Sequence, residues 1–183
     1  MIPLGLWATP LLASGGFDQT LTLQGISFHV QCANRGSVNM LRIHPSGRVK
    51  QHLPLQQEIL GTVTGAEIAD LNADGWPEIY VYVTSAGSGS YGTVVGYAVN
   101  RGKSSATPIY FPYLTDDLVA SKGCMGHDEF AIMERTLARR FPVYKDGDTN
   151  LEPSGGKRQL HYRLEAGEAG WVLQMDKAKT QYY

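Results

Sequence analysis

From Leu21 onward, apolar and polar residues alternate in short runs, each closed by glycine, proline, serine or aspartate. A period of two marks strands with one buried face. Leu21, Leu23, Ile26, Phe28 and Val30 are expected in one strand with a bulge at Gly25. Residues 38–43 and 48–53 are expected to form a hairpin turning at His44-Pro45-Ser46-Gly47. Residues 58–71 read as a long strand broken at Gly61 and Gly65, and residues 78–84 and 93–100 as two arms around a glycine- and serine-rich loop. Residues 107–111, bounded by Pro108 and Pro112, suit an edge strand, because proline cannot donate to a ladder. Residues 116–127 read as loop with a helical turn. In residues 129–141, Met133, Leu137 and Arg140 also fit a helical face, but the neighbouring strands favour a strand. Turns at Asp146-Gly147-Asp148 and Pro153-Ser154-Gly155-Gly156 lead to a closing hairpin over 158–164 and 170–176. Strands at this spacing predict an all-β sandwich or barrel. No repeat or linker divides it, so residues 17–183 are expected to form a single domain.

Composition supports that reading. A chain of 183 residues with 43% hydrophobic and 18% charged residues can bury one core. The 21 glycines and 10 tyrosines suit a turn-rich β fold rather than a helical one. A net charge of −1 supplies no basic excess, so a nucleic-acid partner is not expected. The dense basic pairs, Arg139-Arg140 and Lys157-Arg158, are expected on solvated faces.

Residues 1–16 differ from the rest. Leu4, Leu6, Trp7, Leu11 and Leu12 precede Ala13-Ser14-Gly15-Gly16, like the apolar core and cleavage region of a secretory signal without its basic start. A truncated signal cleaved near Ala13 to Gly15 is expected, with export from the cytoplasm. The alternative is an apolar N-terminal arm. The segment is too short, and too interrupted by Pro3 and Pro10, to span a bilayer, so membrane insertion is not expected. An oxidising compartment would allow Cys32 and Cys124 to pair. In the chain-entropy model, closing so long a loop stabilises by roughly 4–5 kcal/mol.

The densest chemistry lies between Asp70 and Gly92. Asp70, Asn72, Asp74 and Glu78 alternate oxygen-bearing side chains around Gly75, as the first half of a Ca²⁺ loop does. The bidentate glutamate of a helix-loop-helix calcium site would fall at Val81, so only a β-type calcium loop remains open, beside a plain polar turn in which these side chains cap the backbone. Enzyme chemistry is not expected. Ser88 lacks a nucleophile elbow, since Gly87-Ser88-Gly89 has the wrong spacing. His127, Asp128 and Glu129 alternate faces if they lie in a strand. The histidines (His29, His44, His52, His127 and His161) form no ligand pair at helical spacing. The loop after residue 84 remains the best site. Its glycines allow close backbone approach, and Tyr91 offers an aromatic anchor with few rotors to freeze.

These residues resemble a known family. The stretch Tyr82-Val83-Thr84-Ser85-Ala86-Gly87-Ser88-Gly89-Ser90-Tyr91-Gly92, then Gly126-His127-Asp128-Glu129-Phe130, Arg140-Phe141-Pro142-Val143-Tyr144 and the segment from Gly155-Gly156 to Trp171 are similar to the periplasmic inhibitors of invertebrate-type lysozymes. The resemblance covers nearly the whole chain after Phe17. It implies an antiparallel β-sandwich of about eight strands, a periplasmic location and a homodimer. It further implies a partner, an invertebrate-type lysozyme, blocked by a Ser-Gly-x-Tyr loop that enters the active-site cleft. The matching positions are Ser88, Gly89, Ser90 and Tyr91. No cofactor is implied. The competing expectation is a calcium-dependent secreted binding module centred on Asp70, Asn72, Asp74 and Glu78.

Overall fold

The period-two pattern is realised as strands almost throughout. The computed structural model describes residues 15–48, 54–100 and 105–182. Among them are thirteen strands: β1 (Phe17–Leu23), β2 (Ile26–Cys32), β3 (Val38–Gly47), β4 (Leu55–Leu60), β5 (Thr62–Ala69), β6 (Glu78–Thr84), β7 (Gly92–Val99), β8 (Ala106–Tyr110), β9 (Glu129–Met133), β10 (Thr136–Pro142), β11 (Lys157–Gly167), β12 (Gly170–Met175) and β13 (Gln181–Tyr182). Two single 3-10 turns, Leu114–Asp116 and Lys177–Lys179, are the helical segments among the described residues.

The first four strands form an antiparallel meander. The larger sheet runs β5-β6-β7-β8-β12-β11-β10-β9, with β13 beside β11. It is antiparallel except where Ile109 and Tyr110 of β8 meet Trp171 and Val172 of β12 in parallel. Its two ends meet through Glu67 on β5. That carboxylate accepts the Ile132 N–H of β9 at 2.8 Å and also takes the Tyr82 hydroxyl. The larger sheet therefore curls as a barrel does, while the small sheet covers β5–β7 as the second layer of a sandwich.

This arrangement explains the continuous apolar run of β6. Ile79, Val81 and Val83 pack with Phe28, Val30, Ile43 and Tyr97 between the sheets. Tyr80 and Tyr82 face the other way, with Phe130, Leu137, Phe141 and Tyr162 inside the curled sheet. A strand covered on both faces shows no polar alternation.

Several expected elements differ in detail. Residues 21–30 are two strands, not one. Gln24 (φ 51°) and Gly25 (φ 77°) form the tight turn between β1 and β2, where a bulge was expected. His44-Pro45-Ser46-Gly47 is not a turn, because β3 continues through it to pair Pro45 with Phe28 and Gly47 with Ile26. The second arm of that expected hairpin falls mostly at residues 49–53, outside the described residues, as does His52. Residues 129–141 are strand rather than helix, but split into β9 and β10 at Glu134-Arg135. β8 is internal rather than an edge. Its ladder to β12 begins only at Ile109, one residue beyond Pro108. Of the expected signal segment, residues 1–14 lie outside the described residues.

Candidate functional site

The loop 85–91 joins β6 to β7, the most buried strand pair of the fold. Its ends are drawn together by Ser85 N–H donating to the Tyr91 carbonyl at 2.8 Å, and its apex by Ser90 N–H donating to the Gly87 carbonyl at 3.2 Å. Ala86, Gly87 and Ser88 are exposed at the tip, and Tyr91 is 51% exposed. A side chain at Gly89 would meet the Tyr91 ring, so this glycine lets the ring lie over the loop backbone. Ser90 is held at φ 44°, a left-handed conformation that non-glycine residues rarely adopt.

Three neighbouring segments hold this shape. His127 N–H reaches the carbonyls of Gly89 (2.9 Å) and Ser90 (3.2 Å). Asn150 Nδ2 donates to the Ser88 carbonyl at 2.7 Å. Gly92 N–H donates to Asp128 Oδ2 at 2.7 Å, and Arg139 Nε donates to Asp128 Oδ1 at 2.7 Å. Arg139 Nη2 also lies 3.5 Å from the Gly92 carbonyl. Gly126, at φ 91°, carries the chain past Gly89 so closely that a methyl group there would overlap the Gly89 carbonyl. The loop is thus built into the fold rather than hung from it.

The Asp128–Arg139 ion pair is buried, with side-chain exposures of 0% and 5%. The guanidinium lies 5.7 to 5.9 Å from the ring centres of Phe111, Phe130 and Phe141. Burial alone pulls the Arg139 pKa down, but the Asp128 carboxylate outweighs it and the pKa is raised. The expectation of solvated basic faces therefore fails at Arg139 and also at Arg158. Arg158 is buried, and its Nη1 donates to the carbonyls of Val119 (3.2 Å), Ala120 (2.7 Å) and Lys122 (2.7 Å), which shapes the segment leading to Gly126. A guanidinium with several oxygen partners can be buried where an unpaired one cannot.

His127, Asp128 and Glu129 do diverge. Asp128 points inward to Arg139, and Glu129 pairs with Arg140 across β9 and β10. The contact between the His127 segment and the loop runs through backbone groups rather than from the imidazole to Ser88.

The acidic turn lies at the other end of β6. Seven residues of strand put it about 20 Å from the loop, so the two motifs adjacent in sequence are separate sites. Asp70, Asp74 and Glu78 each place an oxygen within 4.8 Å of the others. Such a cluster suits a hard cation. The same side chains also cap the turn. Asp70 accepts the N–H groups of Asp74 and Gly75 and the Gln24 amide, each at 2.9 Å. Asn72 accepts Asp74 N–H at 3.0 Å, and Asp74 accepts Trp76 N–H at 2.8 Å. Glu78 is buried under them and accepts Leu71 N–H at 2.9 Å. Burial pushes its carboxyl up to about 8. The Leu71 hydrogen bond opposes that rise, and the charges of Asp70 and Asp74 add to it.

Cys32 and Cys124, whose pairing the sequence left open, are both free thiols. Cys32 belongs to the core between the sheets, whereas Cys124 packs against the core inside the curled sheet, where burial raises its pKa. Two grooves flank the loop. One of about 760 Å³ runs past Tyr91, Phe111 and Tyr113, and one of about 830 Å³ past Ser90, His127 and Asn34. Among the described residues, no helix is long and apolar enough to cross a membrane. Sequence reasoning did not reach Asn150, and it named Asp128 and Arg139 without their pairing, Asp128 among alternating polar residues and Arg139 as a solvated basic residue. The available signal was Arg139 itself, which shares the inward face of its strand with Leu137 and Phe141. No protein-family model matches the chain, and no significant similarity to a curated protein or a solved structure was found.

Proposed function

We propose that this protein inhibits an invertebrate-type lysozyme by inserting Ser88-Gly89-Ser90-Tyr91 into the enzyme's active-site cleft, and that it performs no catalysis of its own. The observation that carries the reading is a loop already held in shape by the fold, with Ser88 and the Tyr91 ring exposed, at the positions that match the family motif. Lysozymes cleave glycans with a pair of carboxyl groups. A serine hydroxyl can donate to one of them while offering no glycosidic bond to break. Tyr91 supplies the aromatic anchor that typically dominates such interfaces. A loop ordered before binding loses little conformational freedom on entering the cleft. The resemblance extends the proposal to a periplasmic location and a homodimer.

The test is inhibition of purified invertebrate-, chicken- and goose-type lysozymes by the protein. The expected outcome is selective inhibition of the invertebrate type. Tyr91→Ala should weaken it about 30-fold or more, as loss of a hot-spot residue does. Ser88→Ala should weaken it about 10-fold or more, as loss of a hydrogen bond to a charged group does. If both variants inhibit like wild type, the loop is not the inhibitory element. The carboxylate cluster at Asp70, Asp74 and Glu78 favours a second reading, a calcium-dependent binding module. EDTA separates the two, because inhibition through the loop needs no metal.

A further inference from the structure

We propose that Asp128, Arg139 and Asn150 are positioning residues for the Ser88–Tyr91 loop, and that they set its affinity for the lysozyme without touching the enzyme. The inference rests on the functional reading above. It begins from where the loop is pinned. Asn150 holds the tip at the Ser88 carbonyl, the His127 N–H holds the middle at Gly89 and Ser90, and Asp128 holds the base at the Gly92 N–H. These pins come from two stretches remote from the loop in sequence, residues 127–128 and Asn150, so the loop geometry depends on tertiary structure and not on the hairpin alone.

The chemistry of the base pin is informative. Arg139 and Asp128 sit among Phe111, Phe130 and Phe141, a setting that aliphatic side chains would fill at least as stably. What aliphatic residues would lack is a directed acceptor at Gly92 N–H and a donor toward Gly92 O. The ion pair therefore contributes orientation at the point where β7 leaves the loop. Asn150 makes the same argument from the surface. Its Nδ2 serves the Ser88 carbonyl while its Oδ1 is buried with no partner among the described residues, so the residue is poorly explained by stability.

The experiment compares wild type with Asn150→Ala and with the paired replacement Asp128→Leu plus Arg139→Met. Amide hydrogen exchange is measured on the free protein, and association and dissociation rates on invertebrate-type lysozyme. Tyr91→Ala serves as the control for the functional reading. Asn150→Ala is expected to unfold at the wild-type midpoint yet dissociate about 5-fold faster, the effect of one lost hydrogen bond. The paired replacement is expected to speed exchange at the Gly92 and His127 amides at least 10-fold and dissociation by a larger factor than Asn150→Ala. Wild-type exchange and wild-type dissociation in both variants would overturn the inference, even with Tyr91→Ala inactive. If the paired replacement does not fold, Asn150→Ala decides alone. A wild-type protein that binds no lysozyme overturns the functional reading and the claim on affinity together. Exchange at Gly92 and His127 then still decides whether these residues order the loop.

Discussion

Gly126 and Gly147 form a matched pair for measuring how tightly the loop is held. Their backbones are nearly identical, at φ 91° and 92°. Replacing either with alanine places a Cβ in a left-handed conformation, at a cost of roughly 1–2 kcal/mol. At Gly147 that is the whole effect, because none of the described residues lies within 4 Å of the added carbon. At Gly126 the methyl overlaps the Gly89 carbonyl, so the two segments must separate. Separation breaks the hydrogen bonds from His127 N–H to Gly89 and Ser90, a further loss of about 1–2 kcal/mol. Gly126→Ala should therefore be less stable than Gly147→Ala by roughly 1–2 kcal/mol. Urea unfolding followed by tryptophan fluorescence resolves this, since a slope of about 2 kcal/mol per molar converts it to a midpoint difference of about 0.5–1 M. Under the proposed function, Gly126→Ala should also lose inhibition that Gly147→Ala keeps. Equal midpoints for the two variants would refute the claim that the 126–127 segment braces the loop.

Two other predictions concern stability away from the loop. His161 is held neutral, with Gln159 Nε2 donating to its Nε2 and Thr136 Oγ1 beside its Nδ1, both at 2.8 Å, while Thr136 bonds the Met133 carbonyl. Burial lowers its pKa, and Lys179 adds to the effect. A depressed folded-state value stabilises above the unfolded value of about 6.5 and is lost as pH falls through the folded value. The unfolding midpoint should thus decline on acidification below about pH 6.5, and His161→Gln should flatten that decline; a profile unchanged by the substitution refutes the assignment. Asp70→Ala removes the acceptor of Gly75 N–H and one of the two acceptors of Asp74 N–H and should cost about 1–2 kcal/mol, read as a lower thermal midpoint. The same loss with and without EDTA identifies Asp70 as a cap, whereas a loss seen only without EDTA identifies it as a metal ligand.

The β6–β7 hairpin and its loop were legible because glycine and serine interrupt a clear apolar run on both sides. The turns at Gln24-Gly25 and Glu134-Arg135 were not, because neither carries a strong break. Their signature is a change of parity. Leu21 and Leu23 give way to Ile26 and Phe28, and Phe130 and Ile132 to Leu137, Arg139 and Phe141. A two-residue turn between paired strands shifts the inward positions from odd to even numbers or the reverse. Pro45 misled in the opposite direction, since pairing with Phe28 in β2 overrides the local turn preference of His44-Pro45-Ser46-Gly47. The Asp128–Arg139 pair was hidden because Asp128 lies in the loop just before β9 and Arg139 on β10, and only the fold brings them together.

The double lining of β6 bears on how far the loop can be treated as a portable part. Ile79, Val81 and Val83 belong to one core, and Tyr80 and Tyr82 to the other. No cut through the chain yields a smaller piece that keeps the loop and leaves its stem properly covered. A peptide copy of residues 85–92, even cyclised through the Ser85–Tyr91 closure, would carry Ser88 and Tyr91 without the frame that aims them. Transplanting the loop to another scaffold would call for a hairpin already buried on both faces, which most sheet proteins do not offer. The shape of the loop and the whole architecture have to be inherited together.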